Sequence, residues 1–92
     1  MFDIRISPDE NVYVISVVSR LLDVPVWTLR RLDSAGIVSP KRVGKKSRLY
    51  SLNDIRRIQY VQYLMVEKHL NISGVRMVLE TESGSAEQGR QP

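Results

Sequence analysis

Apolar positions along this chain change their rhythm several times, and each change marks an element. Val12 to Ser16 is a short β-branched and aromatic run. It gives way to Val18, Leu21 and Leu22 at helical spacing, with Ser16 placed to cap that helix. Asp23 then stands where a tight turn between two helices is needed, and aspartate is among the few non-glycine residues that tolerate a left-handed backbone. Pro25 fits the first turn of a second helix. At about 100° per residue, Leu29 and Leu32 share one side of it with Val26 nearby, while Trp27, Arg31 and Ser34 fall opposite and Arg30 lies on the flank. Gly36 and Pro40 stop this helix near Ala35, and Ile37 and Val38 return to the core.

After Pro40 the alternation becomes two-fold. Arg42-Val43 and Arg48-Leu49-Tyr50 flank a basic loop with Gly44 at its tip, as the strands of a hairpin do. Ser51 and Asp54 form a capping box that starts a third helix, with Ile55, Ile58, Val61 or Gln62, and Met65 facing inward as far as Glu67 or Lys68. Asn71 caps a fourth, with Ile72, Val75 and Leu79 on one side. The pattern divides the chain into a mobile lead-in at 1–11, one domain at 12–80, and a tail at 81–92. That tail has no large apolar residue and is expected to be disordered. The expected fold is mainly α, a winged helix-turn-helix of four helices with a small two-stranded wing.

Charge sharpens this picture. The 92 residues carry a formal charge of +4. Between Thr28 and Arg57 nine basic residues face only Asp33 and Asp54, a local charge of +7 that leaves the rest slightly acidic. Such a surface attracts an anionic partner. The chain has no cysteine, which excludes disulfides, thiolate zinc sites and thiol redox sensing and suits a cytoplasmic protein. No apolar run approaches the ~18 residues of a membrane span. An enzyme is not expected: no acid/base pair, activated nucleophile or phosphate loop is in view. His69 has no ligand cluster around it, so neither metal nor cofactor is implied.

Two short helices with a tight turn place the second in the major groove of DNA, where an arginine can bond guanine through two donors. Lys45 and Lys46 are placed to extend that contact to phosphates or to an adjacent minor groove. Thr28-Leu29-Arg30, then Gly36-Ile37 with Pro40 three positions later, then Arg48, Tyr50-Ser51 and Asp54-Ile55 follow in one order. That order resembles the DNA-binding domain of the MerR superfamily from Val12 to about Glu80. The stretches VYVISVVSRLL, AGIVSP and LNISGVRMVLE look most like the HspR-type heat-shock repressors. Leu32 stands where that family usually has an aromatic residue, Ser19 where it has alanine and Asp23 where it has glycine.

The resemblance implies phosphate contacts from Arg30 and Arg42, and wing contacts from Lys45, Lys46 and Arg48. Arg48 has the alternative of bracing the wing, and Tyr50 is expected to pack beneath it. The helical wheel adds Trp27 and Arg31 as base readers. The candidate DNA-binding set is Trp27, Thr28, Arg30, Arg31 and Ser34 on the second helix, with Lys41, Arg42, Lys45, Lys46 and Arg48 on the wing. A sequence-specific DNA-binding transcriptional regulator, a repressor, is the expected function, with double-stranded DNA as partner and a homodimer or cooperative assembly on it. The resemblance also implies the DnaK chaperone as co-repressor. Two alternatives stand beside this: an excisionase-like architectural DNA-binding factor, and a protein-interaction module on the same scaffold.

Overall fold

The computed structural model describes residues 5–44 and 47–88, with side chains as far as Glu82. In chain order these form α1 (Ile15–Leu22), α2 (Val26–Ser34), β1 (Lys41–Val43), β2 (Ser47–Leu49), α3 (Leu52–Val66) and α4 (Ile72–Gln88). The strands pair antiparallel, with Lys41 opposite Leu49, Arg42 opposite Arg48 and Val43 opposite Ser47. Two compact units divide the chain, one ending at Tyr60 and the other starting at Val61.

In the first unit α1 begins one residue before the expected cap. Tyr13 is bridged to Tyr50, which leaves Val14 as the last extended residue. The Val14 carbonyl accepts the N–H groups of Val17 and Val18 at 3.0 and 3.1 Å, so Ser16 lies inside the first turn instead of capping it. Only a narrow stripe of this helix is covered: Val18 is buried and Leu22 half-buried, whereas Leu21, expected inside, is 61% exposed.

Both helices of the pair end in the same way. Asp23 adopts the left-handed conformation (φ 53°, ψ 49°), and the Val24 N–H reaches back to the Ser19 carbonyl at 3.0 Å. The Ser19 hydroxyl closes the same turn by donating to the Val24 carbonyl. Pro25 is the N-cap of α2, one position earlier than the expected first turn. At the other end Gly36 has φ 71°, and Ile37 N–H reaches the Leu32 carbonyl at 2.9 Å. No atom lies within 4 Å of a Cβ built on Gly36, so the glycine answers to backbone conformation and not to space. Leu29 and Leu32 are buried beneath α2, and Ile37 and Val38 join them.

The wing is held from behind by Tyr50. Its N–H donates to the Tyr13 carbonyl at 2.8 Å, and its own carbonyl accepts from Val12 and Tyr13, both at 3.0 Å. The expected capping box is present: Asp54 N–H donates to Ser51 Oγ at 3.0 Å and Ser51 N–H to Asp54 Oδ2 at 2.9 Å. The lead-in is fastened to this helix start. Asn53 donates from its N–H to the Pro8 carbonyl and from Nδ2 to Asp9, and Asn11 Nδ2 donates to the Leu49 carbonyl at 3.0 Å.

In the second unit Val61, Leu64 and Val75 are buried and Met65, expected inside, is half-buried. The buried positions of α3 advance by three residues, so each step turns the stripe back by about 60° and brings Leu64 inward in place of Met65. His69 turns the chain with φ 57°, and Leu70 N–H donates to the Leu64 carbonyl at 3.1 Å. Asn71 caps α4 through a 2.8 Å bond from Gly74 N–H to its Oδ1. The helix then runs to Gln88, through most of the segment expected as a disordered tail. Extending an existing helix adds one bond per residue without a new nucleation cost, and Glu, Ala and Gln favour it.

Asp54 anchors both the α3 start and Asn11, which lies 3.5 Å from its Oδ2. Asp54→Ala is expected to cost about 1–2 kcal/mol, measured by urea denaturation, with an unchanged midpoint as the contrary result.

Candidate nucleic-acid interface

The two faces of α2 are chemically opposite because its sequence puts leucines at 29 and 32 and polar or aromatic residues between. With Leu29 and Leu32 fixed in the core, Trp27, Arg30, Arg31 and Ser34 are all exposed. At about 100° per residue these four occupy an arc of roughly 100° on the outward side. Arg30 therefore belongs to the outward arc with Arg31. Thr28 is half-buried at its edge. Leu32, the residue that replaces the usual aromatic, is 2% exposed and belongs to the core.

On the wing Lys41, Arg42 and Arg48 are exposed, and Lys45 and Lys46 lie outside the described residues. Arg42 and Arg48 are direct cross-strand partners, so both side chains leave the same face of the hairpin. Like charges placed opposite each other destabilise a hairpin. Asp33, at the end of α2, supplies the compensating charge: its Oδ2 lies 3.2 Å from an Arg48 guanidinium nitrogen. This pair braces the wing against α2. Asp33 also holds the turn behind α2, its carbonyl accepting Gly36 N–H at 2.9 Å and the Ser39 hydroxyl at 3.4 Å.

Beneath the pair is an open cleft of about 260 Å³ lined by Ile15, Arg30, Asp33, Pro40, Arg48 and Tyr50. Tyr50 is 1% exposed and packs under the wing as expected, but its hydroxyl has no hydrogen-bond partner among the described residues. Burial raises its pKa above the ordinary tyrosine value of 10.0, Asp33 and Asp54 add to the rise, and Arg48 and Arg30 oppose it. The phenol is therefore neutral at physiological pH.

Three contributors were not visible from local pattern. Asp33 reads as an ordinary helix residue until the wing folds over it. Tyr13 reads as a core-edge aromatic, yet its backbone is the wing's anchor. Arg57, which the sequence offers as solvated surface or a marginal phosphate contact, donates from Nε to the Ile37 carbonyl at 3.2 Å and ties α3 to the chain leaving α2. Each is a long-range contact, and periodicity carries no signal for such contacts.

Residues 13–82 match the family described as MerR HTH family regulatory protein. A protein of Streptomyces coelicolor named as a heat shock protein, HspR, is 38% identical over 83 residues, which are 90% of this chain and 55% of that protein. The chain thus spans about half the length of that relative.

Two predictions follow from this geometry. A double-mutant cycle on Asp33→Asn and Arg48→Gln is expected to show a coupling of about 0.5 kcal/mol that vanishes in molar salt, since the pair is partly exposed. No coupling at low salt would remove the brace. Tyr50→Phe is expected to raise Tm by roughly 4–8 °C, by removing an unpaired buried hydroxyl. Because the folded-state pKa is raised, the wild type keeps this residue's contribution below pH 10.0 and loses stability as pH climbs from there towards the folded pKa. The Phe variant should lack that alkaline loss in a pH series of melting curves.

Proposed function

The chain belongs to the MerR helix-turn-helix family of regulatory proteins, and on that premise we propose that it is a sequence-specific DNA-binding transcriptional repressor. The observation that carries this is the two-faced α2, with Leu29 and Leu32 buried and Trp27, Arg30, Arg31 and Ser34 together outside, beside an exposed arginine wing.

In this reading α2 enters the major groove, its outward arc toward the base edges. Arg31 bonds guanine O6 and N7, a planar two-donor match that lysine cannot reproduce. Arg30 and Arg42 hold phosphates on either side of the groove, with Thr28 and Ser34 as neutral donors to the same backbone. Lys41, Lys45 and Lys46 add cationic contacts along the wing. Arg48 divides its guanidinium between Asp33 and a phosphate, which fixes the angle between wing and helix. Occupying a promoter in this way excludes polymerase, and repression needs no catalysis.

A dimer fits the reading, because two half-sites multiply the discrimination of one. The exposed Val66 and Met77 of the second unit, 60% and 68% exposed, offer apolar surface for it. The heat shock name of the Streptomyces relative supports a role in heat-shock control. A cytoplasmic location and the DnaK chaperone as co-repressor belong to this reading through the resemblance to HspR-type repressors alone.

Fluorescence anisotropy with the chain's own upstream promoter and a scrambled duplex, across a salt series, tests this. Binding should prefer the promoter. Arg42→Ala should weaken both duplexes alike and reduce the salt slope by about one unit. Arg31→Ala should instead erase about 1–3 kcal/mol of the preference. Equal affinity for both duplexes in the wild type would overturn sequence-specific binding.

A further inference from the structure

We infer that Trp27 reads the C5-methyl group of a pyrimidine in the major groove, so that the preferred half-site carries a thymine or a 5-methylcytosine under the N-terminal turn of α2. This rests on the DNA-binding reading above and adds to it the chemical class of base recognised.

Trp27 is 63% exposed and is the only tryptophan in the chain. It shares its arc with Arg30, Arg31 and Ser34, so the largest apolar side chain of α2 stands in water among cations and a hydroxyl. Leaving an indole there forgoes the burial that tryptophan ordinarily finds. The cations around it select a polyanion as the body that covers it, not an apolar protein surface.

The chemistry of the groove then narrows the target. An indole has one N–H donor and no acceptor, so it matches none of the two-bond patterns that separate guanine and adenine. Base edges in the major groove are otherwise donors and acceptors, and the one apolar projection they offer is a pyrimidine C5-methyl. Trp27 is also the second residue of α2. That end of a recognition helix is the one whose side chains meet base edges. Arg31, one turn further along, is set to take a guanine close to the same step.

The test starts by selecting preferred duplexes from a random pool with the full chain. Each thymine of the selected half-site is then replaced singly by deoxyuridine, which removes the methyl and leaves the pairing intact. One thymine should be sensitive, with about a fourfold loss of affinity, the worth of one buried methyl-sized group. At that position 5-methylcytosine should bind more tightly than cytosine by a similar factor, a comparison in which only the methyl differs.

Trp27→Ala should bind thymine and deoxyuridine alike, and cytosine and 5-methylcytosine alike. Its exposure predicts an unchanged melting temperature, which keeps the comparison free of folding effects. As a sole tryptophan, Trp27 should also shift or lose emission when the wild type binds the thymine duplex. A wild type indifferent to deoxyuridine at every thymine, a sensitivity that survives in Trp27→Ala, or emission unchanged by binding would each overturn the inference while leaving DNA binding intact. A pool that enriches no sequence would remove the DNA reading and this inference with it.

Discussion

The backbone bonds between Tyr50 and the Val12–Tyr13 segment are the constraint on which the rest of the first unit depends. Two three-residue strands make a hairpin that is marginal alone in water. Fixing the end of β2 to the residues that lead into α1 gives the hairpin a third partner and sets where α1 can begin. The same few bonds thus orient the wing and start the helix-turn-helix. Placing the Tyr50 ring in the core adds apolar burial, at the cost of one unpaired hydroxyl.

A second constraint is electrostatic. The basic surface that suits DNA is self-repelling before DNA arrives, most acutely where Arg42 faces Arg48 across the hairpin. Asp33 relieves this locally without neutralising the outward arc of α2. One carboxylate therefore does two things that work against each other in affinity: it removes part of a cation's pull on phosphate, and it holds the remaining cations in a fixed relation.

Much of this was legible in the sequence where a single residue decides a local conformation. Asp23 and Gly36 closed their helices as read, and Ser51 with Asp54 started α3. The core face of α2 followed from two leucines three apart. Leu21, Ser16 and Met65 departed from their expected places because each depends on what covers the element, and an eight-residue helix or a drifting stripe leaves more than one face consistent with the spacing. The helical stretch beyond Glu80 lacks apolar rhythm, so nothing in its pattern announced a helix. On the wing, the cationic residues could be named, but the bond from Arg48 to Asp33 joins residues fifteen apart and belongs to tertiary structure.

The separation of the two faces of α2 has an evolutionary consequence. Positions 27, 30, 31 and 34 have no share in the buried core, and substitutions on such exposed sites usually change stability little. Duplicated copies of this gene could drift apart in the operators they recognise while Leu29, Leu32 and the two turns stay under purifying selection. Position 33 lies between these regimes. A change there alters wing and turn together, so new target preferences should be reached around it more readily than through it.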